Sequence, residues 1–562
     1  MRVGAIWGPA RRGLCAAALA ALAGSVLVSV AAAPPARANI PFTLWVTADP
    51  TSPVCSQLLP CSLPLAISEA ASGDTIMVES GNYTESTSID PATISNMSGL
   101  TDVTIEGVPG EATPVLNFAG GTVFQAGPAD GNWTLSDLDI MSTGSFALAI
   151  QHGSISGLFV SGATDSGLID LCATPDTTVI DTVCVDTGND SSAWGYRAAG
   201  GGLSATLYND TFYATQPDSY AMWLEQTADG TGDTVNATNV IALNGAAGDD
   251  VVAQTFGAPS DTATITMNYS DYEAPADINP GSQVVNGGGS IGAGPAFANA
   301  AAGDFHELAN SFTIGAGLLN LANDGSVDLD GLPRSTSGKI DIGAYQYQPP
   351  ATPTVTTSPA SPTVAQSITF TAAESDPNPG AGALTYNWKF DDGATATGAV
   401  VTHAFATTGG HTATLTVGDG SPYNASATAQ VTVDPPQPSV LNPAIALVKH
   451  RKSHKPTTYS ESLTFSLNTA ATVDLTLVRD LKGKRASGHC EASLARTAKL
   501  APCPKTKTFA SASFSGASGA DTVPIPGSTI SRRPPAGSYT VELTATNSTG
   551  SSTPVSATFR VP

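Results

Sequence analysis

Acidic side chains are the residues of this chain best suited to chemistry, because paired carboxylates can serve as general acid and general base. Carboxylates about 6.5–9.5 Å apart can hydrolyse a glycosidic bond with inversion. Asp181 and Asp210 fall in successive short repeats, where a column of carboxylates could form. Solvated turns account better for most other acids, so we restrict the catalytic hypothesis to Asp181 and Asp210.

Two other reaction types find little support. A calcium-dependent lyase needs an arginine base on an outer strand face, and Arg197 is the one basic residue between Asn39 and Arg334. An acidic surface would also repel a polyuronate chain. Nucleophilic catalysis by cysteine is not expected, because each mature cysteine has a likely disulfide partner. Any enzymatic activity is therefore expected on a neutral glycan.

Aromatic side chains offer binding chemistry, since they present rigid apolar faces on which sugar rings can stack. Four of them fall where a shallow groove could lie: Trp194, Tyr196, Tyr213 and Trp223. Core packing explains some of these positions equally well. We predict the four as carbohydrate-binding residues.

Metal chemistry is weakly indicated. Asp186 in DTGND and Asp328 in DLDG supply hard oxygen ligands, but neither segment has the twelve-residue spacing of an EF-hand. The cysteines form no CxxC pattern. We predict no cofactor and no defined metal site, and these carboxylates leave a structural calcium ion open.

Short strands must position these residues. Alternating apolar and polar residues predict strands at Thr101–Glu106, Leu135–Ile140, Ile155–Val160 and Val179–Val185. A helix is expected over about Leu63–Ala71. Charged residues make up only 12% of the chain, which is typical of many short strands rather than of long amphipathic helices.

An internal repeat indicates stacked coils. The segments ATLYNDTFY, VNATNVIAL and TITMNYSDY place Asn209, Asn239 and Asn268 at equivalent positions, 30 and 29 residues apart. A period of this length is one coil of a solenoid. Asparagine at a repeated bend can bond to the coils before and after it, so we predict a structural ladder. About ten coils at ~4.8 Å each would make a rod of ~50 Å.

The net charge differs in sign between two parts of the chain. From Asn39 to Pro438 there are four basic and 41 acidic residues, a net charge of −37, whereas from Ser439 onward 15 basic and six acidic residues give +9. The C-terminal part is therefore the one suited to an anionic partner. Its basic run over 449–455 could bind an anionic wall polymer, although a solvated linker explains that run slightly better.

The first 38 residues read as an export signal. Basic residues precede the apolar run Leu14–Ala33, and Ala36-Arg37-Ala38 provides a small-x-small cleavage site. An uncleaved membrane anchor is the alternative. Removing Cys15 leaves six cysteines in three locally spaced pairs, Cys55 with Cys61, Cys172 with Cys184, and Cys490 with Cys503. In an exported chain this pattern predicts three disulfides.

Family resemblances sharpen the domain assignment. The segment GKIDIGAYQY at Gly338–Tyr347, with DLDGLPR at Asp328–Arg334 and GDFH at Gly303–His306, resembles the closing segment of secreted right-handed parallel β-helix proteins of the choice-of-anchor type, which share a pectate-lyase-like fold. The family usually has an acidic residue where this chain has Gln346. This resemblance implies a β-helix.

Two sandwich domains are expected next. YNWKFDDG at Tyr386–Gly393 and GHTATLTV at Gly410–Val417 resemble a PKD domain, an immunoglobulin-like β-sandwich. The closing segment PAGSYTVELTATNSTGSS resembles the immunoglobulin-like modules at the C-termini of secreted actinobacterial proteins. The resulting fold prediction is an all-β chain, with a right-handed parallel β-helix followed by two immunoglobulin-like β-sandwich domains.

The predicted boundaries follow these resemblances and the proline-rich stretches between them. They are a signal peptide at 1–38, the β-helix at 39–348, a Pro/Thr/Ser-rich linker at 349–362, the PKD domain at 363–434, a basic linker at 435–455 and the C-terminal sandwich at 456–562.

The functional hypothesis is a secreted or cell-surface protein, monomeric and non-enzymatic, that contacts polysaccharide or a cell-wall polymer through the β-helix and uses the sandwiches for display. The alternative is a carbohydrate-active enzyme with carboxylates on the β-helix. A purely structural spacer is the third possibility. No nucleic-acid partner is expected, and no membrane insertion after signal cleavage.

Overall fold

Strands are the main secondary structure of the chain and helices are rare, as the alternating pattern predicts. The computed structural model describes residues 41–561 apart from 51, 87, 91–93, 95–96, 98, 120–121, 127–130, 144–145, 163–168, 199–201, 228–231, 257–259, 321–324, 336–337, 379–382, 451–457, 487–488, 492–501 and 526–533. The predicted signal segment lies outside these residues. Within them, no helix is long and apolar enough to cross a membrane.

The first part of the β-helix contains one helix and twelve strands. The helix is α1 (Leu63–Glu69), close to the predicted span. The strands are β1 (Thr43–Val46), β2 (Thr75–Val78), β3 (Asn82–Glu85), β4 (Val103–Gly107), β5 (Val115–Phe118), β6 (Thr122–Ala126), β7 (Trp133–Ser142), β8 (Phe146–Ile150), β9 (Gly153–Gly162), β10 (Ile169–Ala173), β11 (Thr177–Ile180) and β12 (Val183–Asp186).

The second part contains twelve more strands and a short 3₁₀ helix over Ala300–Ala302. The strands are β13 (Ser191–Ala198), β14 (Ser204–Tyr208), β15 (Thr211–Ala214), β16 (Tyr220–Gln226), β17 (Gly232–Thr238), β18 (Ile241–Asn244), β19 (Val251–Thr255), β20 (Thr262–Asn268), β21 (Pro275–Ile278), β22 (Ser282–Gly288), β23 (Phe297–Asn299) and β24 (Asp304–Glu307).

Parallel pairing stacks β1–β22 into three faces. The first face has the order β1-β2-β4-β7-β9-β11-β14-β17-β20-β22, the second β3-β5-β7-β9-β12-β15-β18, and the third β6-β8-β10-β13-β16-β19-β21. The long strands β7 and β9 belong to the first two faces. The predicted β-helix is confirmed, with about seven complete turns. About ten coils were expected. The first face has ten strands, whereas the second and third faces have seven each.

The asparagine ladder is confirmed for two of its three members. Asn209 and Asn239 both have a positive φ, and Nδ2 of Asn239 donates to Oδ1 of Asn209 at 2.9 Å. Asn268 instead ends β20, where it pairs with Thr238. Tyr269 has the positive φ at that bend. The predicted alignment was therefore one residue out of register in the third repeat, since Val235 pairs with Ile265.

Disulfides staple the β-helix where it begins and in its middle. Cys55–Cys61 closes the loop before α1, and Cys172–Cys184 joins the third face to the second, so both predicted pairs are confirmed. Cys503 is also disulfide-bonded. The side chain of Cys490, its predicted partner, lies outside the described residues.

A returning segment covers the later turns. Residues 297–347, here called the closing segment, pack Phe305 and Ala344 against Val183 and Val185 on the outer side of the second face. Gly343 lies against Ile241 and has a φ of 106°, a backbone conformation that favours glycine. Covering the outer side of β12, β15 and β18 makes these turns part of the interior.

The first sandwich consists of β25 (Thr354–Ser358), β26 (Ile368–Ala373), β27 (Thr385–Phe390), β28 (Thr395–Thr397), β29 (Val400–His403), β30 (Gly409–Gly418) and β31 (Asn424–Val433). Its sheets have the orders β25-β26-β29 and β28-β27-β30-β31. Trp388 is buried in the core, as predicted. The predicted linker at 349–362 needs correction, because β25 lies within it and pairs with β26.

The second sandwich consists of β32 (Val440–His450), β33 (Thr458–Leu467), β34 (Ala471–Ala486), β35 (His489–Glu491), β36 (Pro502–Gly516), β37 (Gly519–Ile525), β38 (Gly537–Asn547), β39 (Gly550–Ser551) and β40 (Val555–Val561). The predicted basic linker at 435–455 also needs correction. Residues 440–450 of it form β32, which pairs with β33.

Candidate functional site

A cleft opens in the wall of the β-helix beside the closing segment. It has a volume of about 610 Å³. Its floor is the outer side of β7, β9 and β12, and its wall is the 3₁₀ helix with Leu329, Asp330 and Tyr345. The cleft exists because the closing segment covers the later turns of the second face and leaves the earlier ones open. We call it the wall cleft.

Strand alternation determines which side chains form the floor. Leu138, Ile140 and Ser142 of β7 point inward and are buried, so Asp139 and Met141 face outward. The same alternation in β9 turns Phe159 and Ser161 outward, and their main chains pair directly with Asp139 and Met141. The floor therefore offers one carboxyl group among apolar and hydroxyl groups.

Asp139 is the titratable group of this floor. Burial raises its pKa to about 6, because the charged carboxylate loses hydration there. A carboxyl group with this pKa holds a proton in mildly acidic solution. It can then donate a hydrogen bond to a ligand as well as accept one.

In the opposite wall, His306 is held between two carboxylates. Nδ1 and Nε2 of His306 lie 2.6 Å from Oδ1 of Asp304 and Oδ2 of Asp330. Burial alone would lower the pKa of His306, but the two carboxylates outweigh it and raise the pKa to about 9. The imidazolium ring packs at 4.2 Å from the ring of Tyr345. Burial raises the pKa of Tyr345, as do the neighbouring carboxylates, so its hydroxyl stays protonated.

An internal ion pair fixes the closing segment to the β-helix. Arg334 is 1% exposed and its Nη2 donates to Oδ1 of Asp181. The same guanidinium donates to the carbonyl oxygens of Gly343 and Ala344, at 3.0 and 2.9 Å. Arg334 therefore holds Gly343 and Ala344, near the end of the closing segment, against a carboxylate on the β-helix.

The two catalytic candidates from the sequence lie beneath this segment and do not line the wall cleft. Burial raises the pKa of Asp181 to about 6, although Arg334 opposes the shift. Burial likewise raises the pKa of Asp210 well above its usual value. Oδ1 of Asp210 accepts from the backbone N–H of Thr182 at 2.9 Å. Both carboxyl groups serve internal contacts in this structure, which does not test a catalytic role for either.

The four predicted carbohydrate-binding aromatics do not share a groove. Trp194 is 0% exposed and its indole donates to Thr174 at 2.7 Å, while Trp223 is 4% exposed. Neither ring has a free face for a sugar. Tyr213 packs on Phe305 of the closing segment, and Tyr196 is half-buried at the third face. For Tyr196 and Tyr213 sugar binding stays a prediction.

The two calcium candidates are occupied by protein donors. Asp186 accepts from the backbone of Gly188 and from the hydroxyl of Ser191. Asp328 accepts from the backbone N–H groups of Asp330, Leu332 and Gln346. These bonds organise two turns. Among the described residues no cluster of histidine, cysteine and acidic side chains could hold a metal ion.

The residues that form the wall cleft were not selected from the sequence. Asp139, Asp330, His306 and Tyr345 all lie in segments that were recognised for their strand pattern or family resemblance. One usable signal was present, because GDFH and DLDG are acidic turns around a histidine in an otherwise histidine-poor chain. Their convergence on β7 and β9 required the path of the closing segment.

Comparisons with known proteins found a family match for part of the chain and alignments with solved structures. Residues 350–433 match the family model described as the PKD domain. The crystal structure of pectate lyase Pel9A aligns with 11% identity and a TM-score of 0.31, over 54% of this chain and 96% of that one. No curated protein matches the chain.

Two β-sandwich structures also align. A carbohydrate-binding module of the β-sandwich superfamily aligns with 15% identity and a TM-score of 0.16, over 32% of this chain and 91% of that one. Two fibronectin type III domains of chicken tenascin align with 12% identity and a TM-score of 0.19, over 38% and 100%.

Proposed function

We propose that this chain is a secreted or cell-surface protein that binds a neutral polysaccharide in the wall cleft without cleaving it, and that the two sandwiches display the β-helix. The observation that carries the proposal is the wall cleft itself, a long open groove that joins hydrogen-bonding groups to an aromatic ring. Asp139, Ser161 and Asp330 offer polar atoms to sugar hydroxyls, and Tyr345 and Phe159 offer apolar surface.

Electrostatics favours a neutral ligand. The cleft is lined by Asp139 and Asp330, and Lys and Arg are not among its lining residues. A polyuronate would bring further negative charge next to these groups, which costs free energy at short range. An extracellular location is supported by the disulfides of the β-helix, since such bonds persist in oxidising compartments.

Blocking the cleft is the direct test. Ser161→Trp places a large ring on the cleft floor, and Ser156→Trp places the same ring on the outer side of the same strand at the first face. Affinity electrophoresis of residues 39–562 in gels with xylan, mannan or mixed-linkage β-glucan measures binding. We expect retardation by one polymer, a loss of at least about tenfold in affinity for Ser161→Trp, and no loss for Ser156→Trp.

Two outcomes would overturn the proposal. One is an absence of retardation in every neutral polymer, which would favour a structural spacer. The other is equal loss in both tryptophan variants, which would place binding outside the wall cleft.

A glycoside hydrolase is the second candidate, and the position of Asp139 on the cleft floor with a raised pKa favours it. A carboxyl group with a pKa of about 6 can act as the general acid at a glycosidic oxygen. The test is release of reducing ends from the same neutral polymers. Activity that Asp139→Asn abolishes would establish this function, whereas undiminished turnover in Asp181→Ala and Asp210→Ala would exclude the two acids first suspected from the sequence.

A further inference from the structure

The second sandwich has a two-stranded extension that concentrates positive charge. Strand β38 pairs with β34 only over Thr472–Asp480, whereas β36 follows β34 as far as Lys484. Beyond Asp480 the two strands therefore continue together without β38, and β35 joins the end of β34 at Lys484–Ala486. We call residues 479–486 of β34 and 502–507 of β36 the basic arm.

Six basic residues and one acidic residue occupy the basic arm. The basic ones are Arg479, Lys482, Lys484, Arg485, Lys505 and Lys507, and the acidic one is Asp480. Pairing places Arg479 opposite Lys507 and Leu481 opposite Lys505. Like charges directly across a sheet repel each other. Arg479 has a use within the fold, because it donates to the carbonyl oxygen of Ala536 at 2.6 Å and lies over the ring of Tyr539, whereas the lysines across from it have no such contact on the described surface.

The lysines of the arm are available to a partner. Lys482 and Lys507 are exposed and Lys505 is half-exposed. None of the ion pairs between described residues involves these three side chains. Among the described residues, the large exposed apolar side chains lie outside the basic arm, so the surface of the arm is charged rather than apolar.

We propose that the basic arm binds a linear polyanion that carries regularly spaced carboxylate or phosphate groups. Alternate residues on one side of a strand are about 6.8 Å apart, which suits a charge repeated along an extended polymer. Binding would release counterions from the polymer and would weaken steeply with salt. The arm would hold the protein on an anionic matrix while the acidic β-helix points away from it.

A second copy of the chain is a less suitable occupant. The β-helix is strongly acidic, but thirteen of its acidic residues are buried, and several of these accept internal hydrogen bonds. These buried carboxylates are not available to the basic arm of a second copy.

Charge-matched variants test the proposal on residues 39–562. Lys505→Gln with Lys507→Gln removes two charges from one side of β36, and Lys339→Gln with Lys389→Gln removes two exposed charges elsewhere. The probes are immobilised polygalacturonate and immobilised polyphosphate, with dextran as the neutral matrix. Elution by a NaCl gradient gives the strength of binding.

We expect retention on at least one polyanion and none on dextran, with about tenfold weaker binding for the arm variant and unchanged binding for the control variant. Comparison of the two probes distinguishes carboxylate from phosphate. Ser161→Trp should be retained normally, because this inference does not depend on the wall cleft.

Three results would overturn the inference. They are absence of retention on both polyanions at 20 mM NaCl, equal weakening in the two lysine variants, and salt-reversible self-association of the free protein in sedimentation that the arm variant alone abolishes. The last would identify a second copy as the occupant.

Discussion

The β-helix and the second sandwich treat buried charge in opposite ways. Thirteen acidic residues and Arg334 are buried in the β-helix, whereas Glu461 is the one buried charged residue among the described residues of the second sandwich. The sandwich instead fills its interior with Leu463, Phe465, Val541 and similar side chains. Burial of charge in the β-helix must therefore have a use that the sandwich does not need.

That use is to join parts of the chain that are far apart in sequence. Arg334 reaches Asp181 across 153 residues, and Asn239 bonds both backbone groups of Leu318 across 79. The hydroxyl of Tyr423 in the first sandwich donates to Asp341 at 2.6 Å across 82 residues. These polar anchors act together with the apolar contacts that Phe305 and Ala344 make on the outer side of the second face.

The largest effect is expected from removal of the ion pair under the closing segment. Arg334→Met leaves Asp181 buried without its partner and two carbonyl oxygens without their donor. Breaking one side of a buried pair costs about 3–5 kcal/mol. Urea unfolding of residues 39–562, followed by tryptophan fluorescence, measures the loss in the free energy of unfolding.

The double variant Arg334→Met with Asp181→Leu is the control. It removes both charges, so it should be less destabilised than Arg334→Met alone. A cost below about 1 kcal/mol for the single variant would show that the closing segment is held by its apolar contacts, and the contrast with the sandwich would fail.

A smaller effect is expected in the asparagine ladder. Asn239→Ala removes the hydrogen bonds to both backbone groups of Leu318 and to Oδ1 of Asn209, at a cost of about 2–3 kcal/mol. Asn268→Ala removes one long bond to Ala237, at 3.4 Å, and should cost less than about 0.5 kcal/mol. Equal costs in urea unfolding would contradict the observed register.

This pair of variants also shows how far the sequence could lead. The repeat indicated a solenoid because apolar alternation and the 30-residue period are local properties of the chain. The position of Asn268 was wrong because a one-residue slip keeps the apolar count of a short strand almost unchanged. Neighbouring coils, here Val235 against Ile265, decide the register.

The candidate site was beyond the reach of the sequence for a different reason. Trp194 and Trp223 were predicted to bind a ligand because the sequence does not show whether an aromatic side chain is buried or exposed. Asp139 was not singled out, because it lies inside the predicted strand Leu135–Ile140 and the sequence does not show what lies over the outer side of that strand. Only the closing segment, arriving from more than 150 residues away, turns Asp139 into the floor of a cleft and Asp181 into the partner of Arg334.

Stability of the β-helix should fall as pH rises through the weakly acidic range. Glu307 is buried beside Asp341 and accepts from Thr313, and burial raises the pKa of Glu307 well above 4.5, with Asp341 adding to the shift. Above pH 4.5 the unfolded chain loses this proton while the folded chain keeps it. The free energy of unfolding therefore decreases by up to about 1.4 kcal/mol per pH unit for this group.

Glu307→Gln removes that titration. Urea unfolding at pH 5, 6 and 7 should show a shallower decline for this variant than for the parent chain. Glu69→Gln, an exposed acid on α1, should leave the slope unchanged. An identical slope for Glu307→Gln and the parent would show that Glu307 is ionised in the folded protein.

The smallest effect, and one of opposite sign, is expected in the second sandwich. Glu461 points inward in the same row as Leu463 and Phe465 and is 1% exposed, and neither carboxylate oxygen has a hydrogen-bond partner among the described residues. Glu461→Leu should leave stability unchanged or raise it by about 1 kcal/mol, because an unpaired polar group in a core costs free energy. Leu463→Ala, its neighbour in the row, should cost about 2–5 kcal/mol in the same urea unfolding experiment. A loss above about 1 kcal/mol for Glu461→Leu would mean that this glutamate anchors a segment as Asp181 does, and that the two regions handle buried charge alike.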